Sequence, residues 1–225
     1  MKTQLHSFKI LIATTILLFS VLLVHGQRVA SVTGNWSNTA TWGGAAVPTS
    51  AETVTINGGI TVTVDVGTAA CASLTLNVSN NNSTATISFN NSSMLTISGN
   101  LVVGNTTGSN RHGAIDMTSG GTMKIGGAVT INDLGAFTGG TGTVEYTSAN
   151  PTISAAFIYQ NLAFSGSGTA GASGALTIQG NLTNTGGGTL NFGANNVILS
   201  GTTSANSIAG FTTTGTVSMT KTAGT

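Results

Sequence analysis

The chain has 225 residues, 40% of them hydrophobic and only 5% charged, with 32 glycines and a formal net charge of +1. So little charge argues against a nucleic-acid binder, which needs a basic face for phosphates, and so much apolar character against an acidic disordered tail. The polar residues are mainly Thr, Ser, Asn and Gly, while helix formers are scarce, so the expected fold is all-β.

Residues 1–26 read as a secretory signal peptide. Lys2 and Lys9 flank a polar opening, and Ile10 to Val24 is apolar except for Thr14, Thr15 and Ser20. Val24-His25-Gly26 then supplies tolerable residues for cleavage before Gln27. The apolar run is short for a bilayer span and no stop-transfer charges follow it, which disfavours an uncleaved anchor. The expected mature chain keeps four basic residues (Arg28, Arg111, Lys124, Lys221) against five acidic ones (Glu52, Asp65, Asp116, Asp133, Glu145), hence a net charge of −1.

Residues 27–78 are expected to hold an amino-terminal cap and the first strands. Trp36 and Trp42, the only tryptophans, lie six residues apart here. Two large amphipathic rings near the open end of a stack suit a cap over its apolar interior. A sugar-stacking platform made by Trp36 and Trp42 is the functional alternative. The alternating runs 53–56, 60–64 and 73–76 follow, then 86–89 and 95–97, each apolar at every second position with Thr or Ser between. Half-buried strands produce that alternation. Turn clusters such as Asn57-Gly58-Gly59 and Asn80-Asn81-Asn82 separate them. Cys71 has no partner for an intramolecular disulfide and reads as a small buried hydrophobe.

Residues 79–225 are expected to be solenoid repeats. Leu95–Val103, Met123–Ile131 and Leu176–Asn184 share the pattern apolar-x-Ile-x-Gly-x-apolar in their first seven residues, aligning Gly99, Gly127 and Gly180. The first step is 28 residues and the second 53, close to one and two steps of a period in the high twenties. Gly142–Thr147 and Gly215–Thr220 form a second echo. Imperfect repeats of this size built from strands and glycine turns point to a solenoid of about seven to ten coils. The competing architecture is a β-sandwich, in which 53–56 and 60–64 would form a hairpin across Asn57-Gly58-Gly59.

The opening Gly34-Asn35-Trp36-Ser37, Thr41-Trp42, Val47-Pro48-Thr49 and Val62-Thr63-Val64-Asp65, followed by Ala69–Leu76, resembles the start of large surface proteins exported by Bacteroidetes, related in style to the extracellular eight-glycine domain. Gly142–Thr147, Tyr159–Gly166 and Leu176–Thr183 are similar to the repeats that follow in those proteins. The resemblance implies a right-handed parallel β-helix, export through the Sec and type IX systems, and an adhesin-like role at the cell surface. Those proteins usually end in a sorting domain or lipid-modified tail. This chain stops at Lys221–Thr225, just after another Gly-Thr-Val strand has begun, so missing downstream domains of the same polypeptide are expected.

Motifs for chemistry are weak. Gly166-Ser167-Gly168-Thr169-Ala170-Gly171 matches a dinucleotide fingerprint, but the next segment reads as a strand and offers no helix amino terminus to a pyrophosphate. Stacking would bring two carboxylates together only if Asp116 and Asp133 aligned on neighbouring coils; both are expected to be ordinary turn residues. Arg111 and His112 precede Asp116 without a nucleophile motif. No cofactor is expected, with weak calcium binding through Asp65 or Asp133 left open. Asn-x-Ser/Thr triplets at Asn35, Asn77, Asn105 and Asn181 follow from composition and matter only in a glycosylating host. The expected function is a secreted structural or adhesive module, without catalysis in this segment and with extracellular glycans or surface components as partners. A carbohydrate-binding or carbohydrate-active β-helix is the alternative. Ice binding through Thr53-Val54-Thr55 and Thr61-Val62-Thr63 is the third reading.

Overall fold

The computed structural model describes residues 26–76, 83–105, 112–202 and 206–220. The signal-peptide reading, apart from Gly26, falls outside the described residues, as do Asn77, Arg111 and Lys221.

Every strand pair among the described residues is parallel. The chain winds through about eight turns of a β-solenoid, three short strands to a full coil. The first face stacks Gln27–Val29, Thr53–Ile56, Ser73–Leu76, Leu101–Val103 and Val129–Ile131. The second stacks Gly34–Asn35, Thr61–Val64, Ala85–Phe89, Gly113–Asp116 and Leu134–Thr138. The third runs from Ala69–Cys71 through Met94–Ile97, Thr122–Ile125, Thr143–Tyr146 and Asn161–Phe164 to Leu182–Asn184.

The hairpin of the competing sandwich does not form. Thr53–Ile56 pairs with Gln27–Val29 and Ser73–Leu76, whereas Thr61–Val64 pairs with Gly34–Asn35 and Ala85–Phe89. Antiparallel pairing, on which a sandwich depends, is absent among the described residues. Alternation sets what each face buries. Val54, Ile56, Leu74, Leu76, Leu101 and Val103 point inward and are fully or almost fully buried, while Thr53, Thr55, Ser73 and Thr75 take the alternate positions.

The repeat length differs from the expected period. On the third face Leu95, Met123, Val144, Leu162 and Leu182 are in register, with steps of 28, 21, 18 and 20 residues. Only the first two copies of the repeat stack on one another. Leu176–Ile178 belongs to a different ladder, with Ile158–Tyr159, Val197–Leu199 and Val217–Met219. Likewise Thr143–Tyr146 and Val217–Met219, the strands of the second echo, lie on different faces.

The motif recurs because it serves a corner, whichever corner that is. A Cβ on Gly99 would lie 2.7 Å from the Ala72 carbonyl oxygen, and one on Gly180 2.4 Å from that of Gln160. Real Cβ atoms do not approach backbone so closely, so glycine lets one coil turn against the last. The asparagine after it joins the coils. Asn100 Oδ1 accepts the N–H of Ala128 at 2.9 Å and Asn181 Oδ1 that of Ser207 at 2.8 Å, while Asn161, which follows Gln160, accepts the Asn181 N–H in the same way at 3.1 Å.

The ladders run unbroken past residue 78, and the discontinuity comes later. The first- and second-face ladders end at Val129–Ile131 and Leu134–Thr138, and new ladders begin at Thr152–Ile153 and Ile158–Tyr159. Only the third face continues through the junction. Beneath it the two tyrosines of the chain tie the new corner to the core. Tyr159 Oη donates to the Ser154 carbonyl at 2.6 Å, and Tyr146 Oη accepts the Ser154 N–H at 3.0 Å. The hydroxyls are 2.9 Å apart, and since Tyr159 spends its proton on Ser154, Tyr146 donates to it. Burial pushes both phenols above their ordinary range, Tyr159 well above it. Tyr146→Phe and Tyr159→Phe should each cost about 1–3 kcal/mol by stranding a buried Ser154 backbone group. In urea unfolding, the double variant should lose less than the sum of the two, because the hydroxyls share one cluster.

Candidate functional site

Trp36 and Trp42 pack together beside Gly34–Asn35, the first strand of the second-face ladder. Asn38 caps a short 3-10 turn, Thr39–Trp42, by accepting the Ala40 N–H, and Gly43 ends it in the left-handed region at φ 67°. Trp42 Nε1 donates to the Trp36 carbonyl at 2.8 Å, and the rings meet edge to face with centroids 5.1 Å apart. Trp36 is fully buried and Trp42 is 4% exposed. The rings therefore pack inside the first coil, and stacking a sugar on either would first require opening that packing. Ser37 anchors the turn from outside, its hydroxyl donating to Asp65 at 2.5 Å and its N–H at 3.0 Å.

The following loop is held by Glu52. Its carboxylate accepts from the Thr49 hydroxyl and N–H and pairs with Arg28 at 3.3 Å. The Thr49 hydrogen bonds chiefly, with Arg28 adding to them, hold its pKa below the ordinary carboxylate value. These contacts hold the loop against Glu52 and Arg28.

The other singled-out residues separate. Asp116 and Asp133 do not align: Asp116 pairs in register with Thr138 and accepts from the Thr118 hydroxyl at 2.5 Å. Asp133 meets His112 instead, Nδ1 to Oδ1 at 2.8 Å, at a half-exposed corner. His112 was expected near Asp116 from sequence proximity, but the strand between them carries the two ends apart. Both candidate calcium ligands are thus engaged by protein, Asp65 by Ser37 and Asp133 by His112. Among the described residues no group of three or more His, Cys, Asp or Glu side chains is placed to hold a metal ion. Gly166–Gly171 runs into the strand Thr169–Ala172, not into a helix.

The candidate working surface is the outside of the first two faces. On the first, Thr53 lies directly beside Ser73, and Thr75 beside Thr55, which is itself buried with its hydroxyl accepting from Gln27. On the second, Thr61 and Thr63 lie beside Thr86 and Ser88, with the Thr63 and Ser88 hydroxyls 2.9 Å apart. The hydroxyl files are thus regular over two coils. Val102 then interrupts the first and Ala114 the second, while Asp116 and Thr138 continue the outer file beyond Ser88. Sequence alternation identified these positions, but only the register shows which hydroxyls are neighbours.

Cys71 sits fully buried beside Ile97 on the third face. Burial pushes its thiol from 9.0 up to about 12. The folded state therefore holds this proton longer than the unfolded chain, and the associated stability is complete below about pH 9 and lost as pH rises through 12. Tyr146 and Tyr159 shift in the same direction. Native protein at pH 8.5 should resist iodoacetamide, react only at the global unfolding rate, and lose thermal stability in the alkaline range. Rapid native labelling would contradict the burial of Cys71.

Comparison of the chain with protein-family models, with curated proteins and with solved structures finds no match, so the functional reading rests on its own geometry.

Proposed function

We propose that this chain is an exported structural module of a cell-surface protein, with the hydroxyl-bearing first and second faces as its adhesive surface. The observation that carries the reading is the register of Thr53 with Ser73, and of Thr61 and Thr63 with Thr86 and Ser88. A parallel ladder sets such neighbours about 4.8 Å apart across the strands. It therefore offers a fixed grid of donors and acceptors at little conformational cost, because β-branched threonines have few rotamers to lose. A hydroxylated partner such as a surface glycan can meet that grid through direct or water-bridged hydrogen bonds.

The signal-like residues 1–26 and the resemblance to exported Bacteroidetes surface proteins support the location. Individual hydroxyl contacts are weak, about 0.5–1.5 kcal/mol each, so adhesion by this surface relies on many copies acting together.

The test joins location to surface chemistry. Cells expressing the full chain should lose it to added protease, whereas cells expressing a chain without residues 2–26 should not. Purified protein immobilised on beads at high density should bind a subset of a glycan array. Thr75→Lys with Thr63→Lys, both partly exposed and at alternate positions to the buried side chains, should abolish that binding while leaving the β-sheet circular dichroism intact. Intracellular retention of the full chain, or glycan binding indifferent to the double substitution, would contradict the proposal.

A further inference from the structure

At the junction after residue 138 the solenoid loses two of its three ladders. On the second face rings bridge the gap: Phe137 stacks on Phe157 with centroids 4.4 Å apart. The first face has no such bridge. Val129–Ile131 pairs only with Leu101–Val103, and Thr152–Ile153 only with Thr169–Ala172. A groove of about 360 Å³ lies between these strand edges, lined in part by Val129, Ser148, Asn150, Thr152 and Ser173.

The backbone at the groove is directed in a specific way. In a parallel ladder, alternate residues turn both N–H and C=O to one neighbour, and the residues between turn theirs to the other. The Ala128 carbonyl accepts from Leu101, and the Asn132 N–H donates to Val103. Thr130 therefore faces that strand, and Val129 and Ile131 present their N–H and C=O groups on the groove side. Across the groove, the Pro151 and Ile153 carbonyls accept from Gly171 and Ser173, so Thr152 presents its N–H and C=O on the groove side. These backbone groups of Val129, Ile131 and Thr152 have no protein partner among the described residues. No residue lining the groove is ionisable.

We propose that this groove is a strand-addition site that takes an uncharged, extended peptide, parallel to the strands on both sides. An extended peptide is the ligand class that repeats a donor and an acceptor at the spacing of two strand edges, which a sugar does not. The ladders above and below continue as sheet, so an added strand would extend an existing hydrogen-bond pattern. The uncharged lining selects against Lys, Arg, Asp and Glu, which would be desolvated there without a counter-charge. Alternate side chains of the guest face Val129 and Ile131, which favours small β-branched residues, and the others face solvent beside Thr130 and Thr152. The partner chemistry is thus the Thr/Val alternation of this chain's own strands. The inference goes beyond the adhesive reading and does not depend on it.

The probe is a fluorescein-labelled, amidated peptide Thr-Val-Thr-Val-Thr, titrated with the purified protein and followed by anisotropy. Saturable binding is expected, and replacing both valines by lysine should abolish it. Thr152→Pro deletes the groove-facing N–H without removing a ladder hydrogen bond, and should weaken binding about tenfold with the unfolding midpoint nearly unchanged. Ala128→Trp, at an exposed position on the groove wall, should block binding by filling the space and supplies the answer if the proline variant misfolds. Absence of saturable binding overturns the proposal. So does binding that survives both variants, or binding displaced by soluble oligosaccharides in place of excess unlabelled peptide.

Discussion

No coil of this chain can bury its own apolar side chains, so the fold depends on the backbone ladder that holds one coil on the next. Each inter-coil hydrogen bond contributes only about 0.5–1.5 kcal/mol net. The register those bonds impose matters more. It aligns Val54 with Leu74, Leu74 with Leu101 and Leu95 with Met123, making inward files of apolar side chains continuous from coil to coil. A one-residue slip would turn each file outward and carry the threonines into the core. The same register places the outer hydroxyls beside one another, so core and candidate surface follow from one constraint.

The ladder is not equally continuous on all faces. The third face runs from Ala69–Cys71 to Leu182–Asn184, while the other two stop and restart between residues 131 and 158. At that interval the coil shortens from 28 residues to about 20. Two substitutes for strand pairing occur there, the Tyr146–Tyr159–Ser154 cluster and the Phe137–Phe157 stack, while the first face keeps a groove. Both tyrosines and a stacked phenylalanine pair fall at this point in a chain that is only 5% aromatic. Large rings and buried hydroxyls restore packing and polar satisfaction where the backbone no longer supplies them.

Much of the fold was legible in the residues. Two-residue alternation identified strands of the first coils, such as 53–56, 73–76 and 86–89, and the glycine-centred repeats identified a stacked architecture, because both are local consequences of the parallel ladder. The coil period was not legible. Leu176–Asn184 repeats the pattern of Leu95–Val103, yet the two sit on different faces, since the pattern encodes a strand and a tight corner and not a place in the cross-section. The pairing of His112 with Asp133 in place of Asp116 has the same origin, because contacts across coils are set by coil length. The sequence spacing of Trp36 and Trp42 pointed to a pair near the first strands, whereas their near-complete burial depended on the 3-10 turn that folds Trp42 back onto Trp36. The groove left no local signal, because an unpaired strand edge is a property of two segments that fail to meet.

The third-face ladder across the junction is the element on which this account most depends, and paired cysteines test it directly. Lys124 and Glu145 are in register on neighbouring coils and joined by an ion pair at 3.2 Å. Parallel neighbours lie about 4.8 Å apart, within the Cα separation a disulfide accepts. Lys124→Cys with Glu145→Cys should therefore oxidise readily to an intramolecular disulfide in folded protein, with Cys71 remaining buried and unreactive. Lys124→Cys with Thr152→Cys, the pair that an unchanged 28-residue coil would bring together, should not. Cross-linking of the second pair in preference to the first would contradict the shortened coil and the continuous third face.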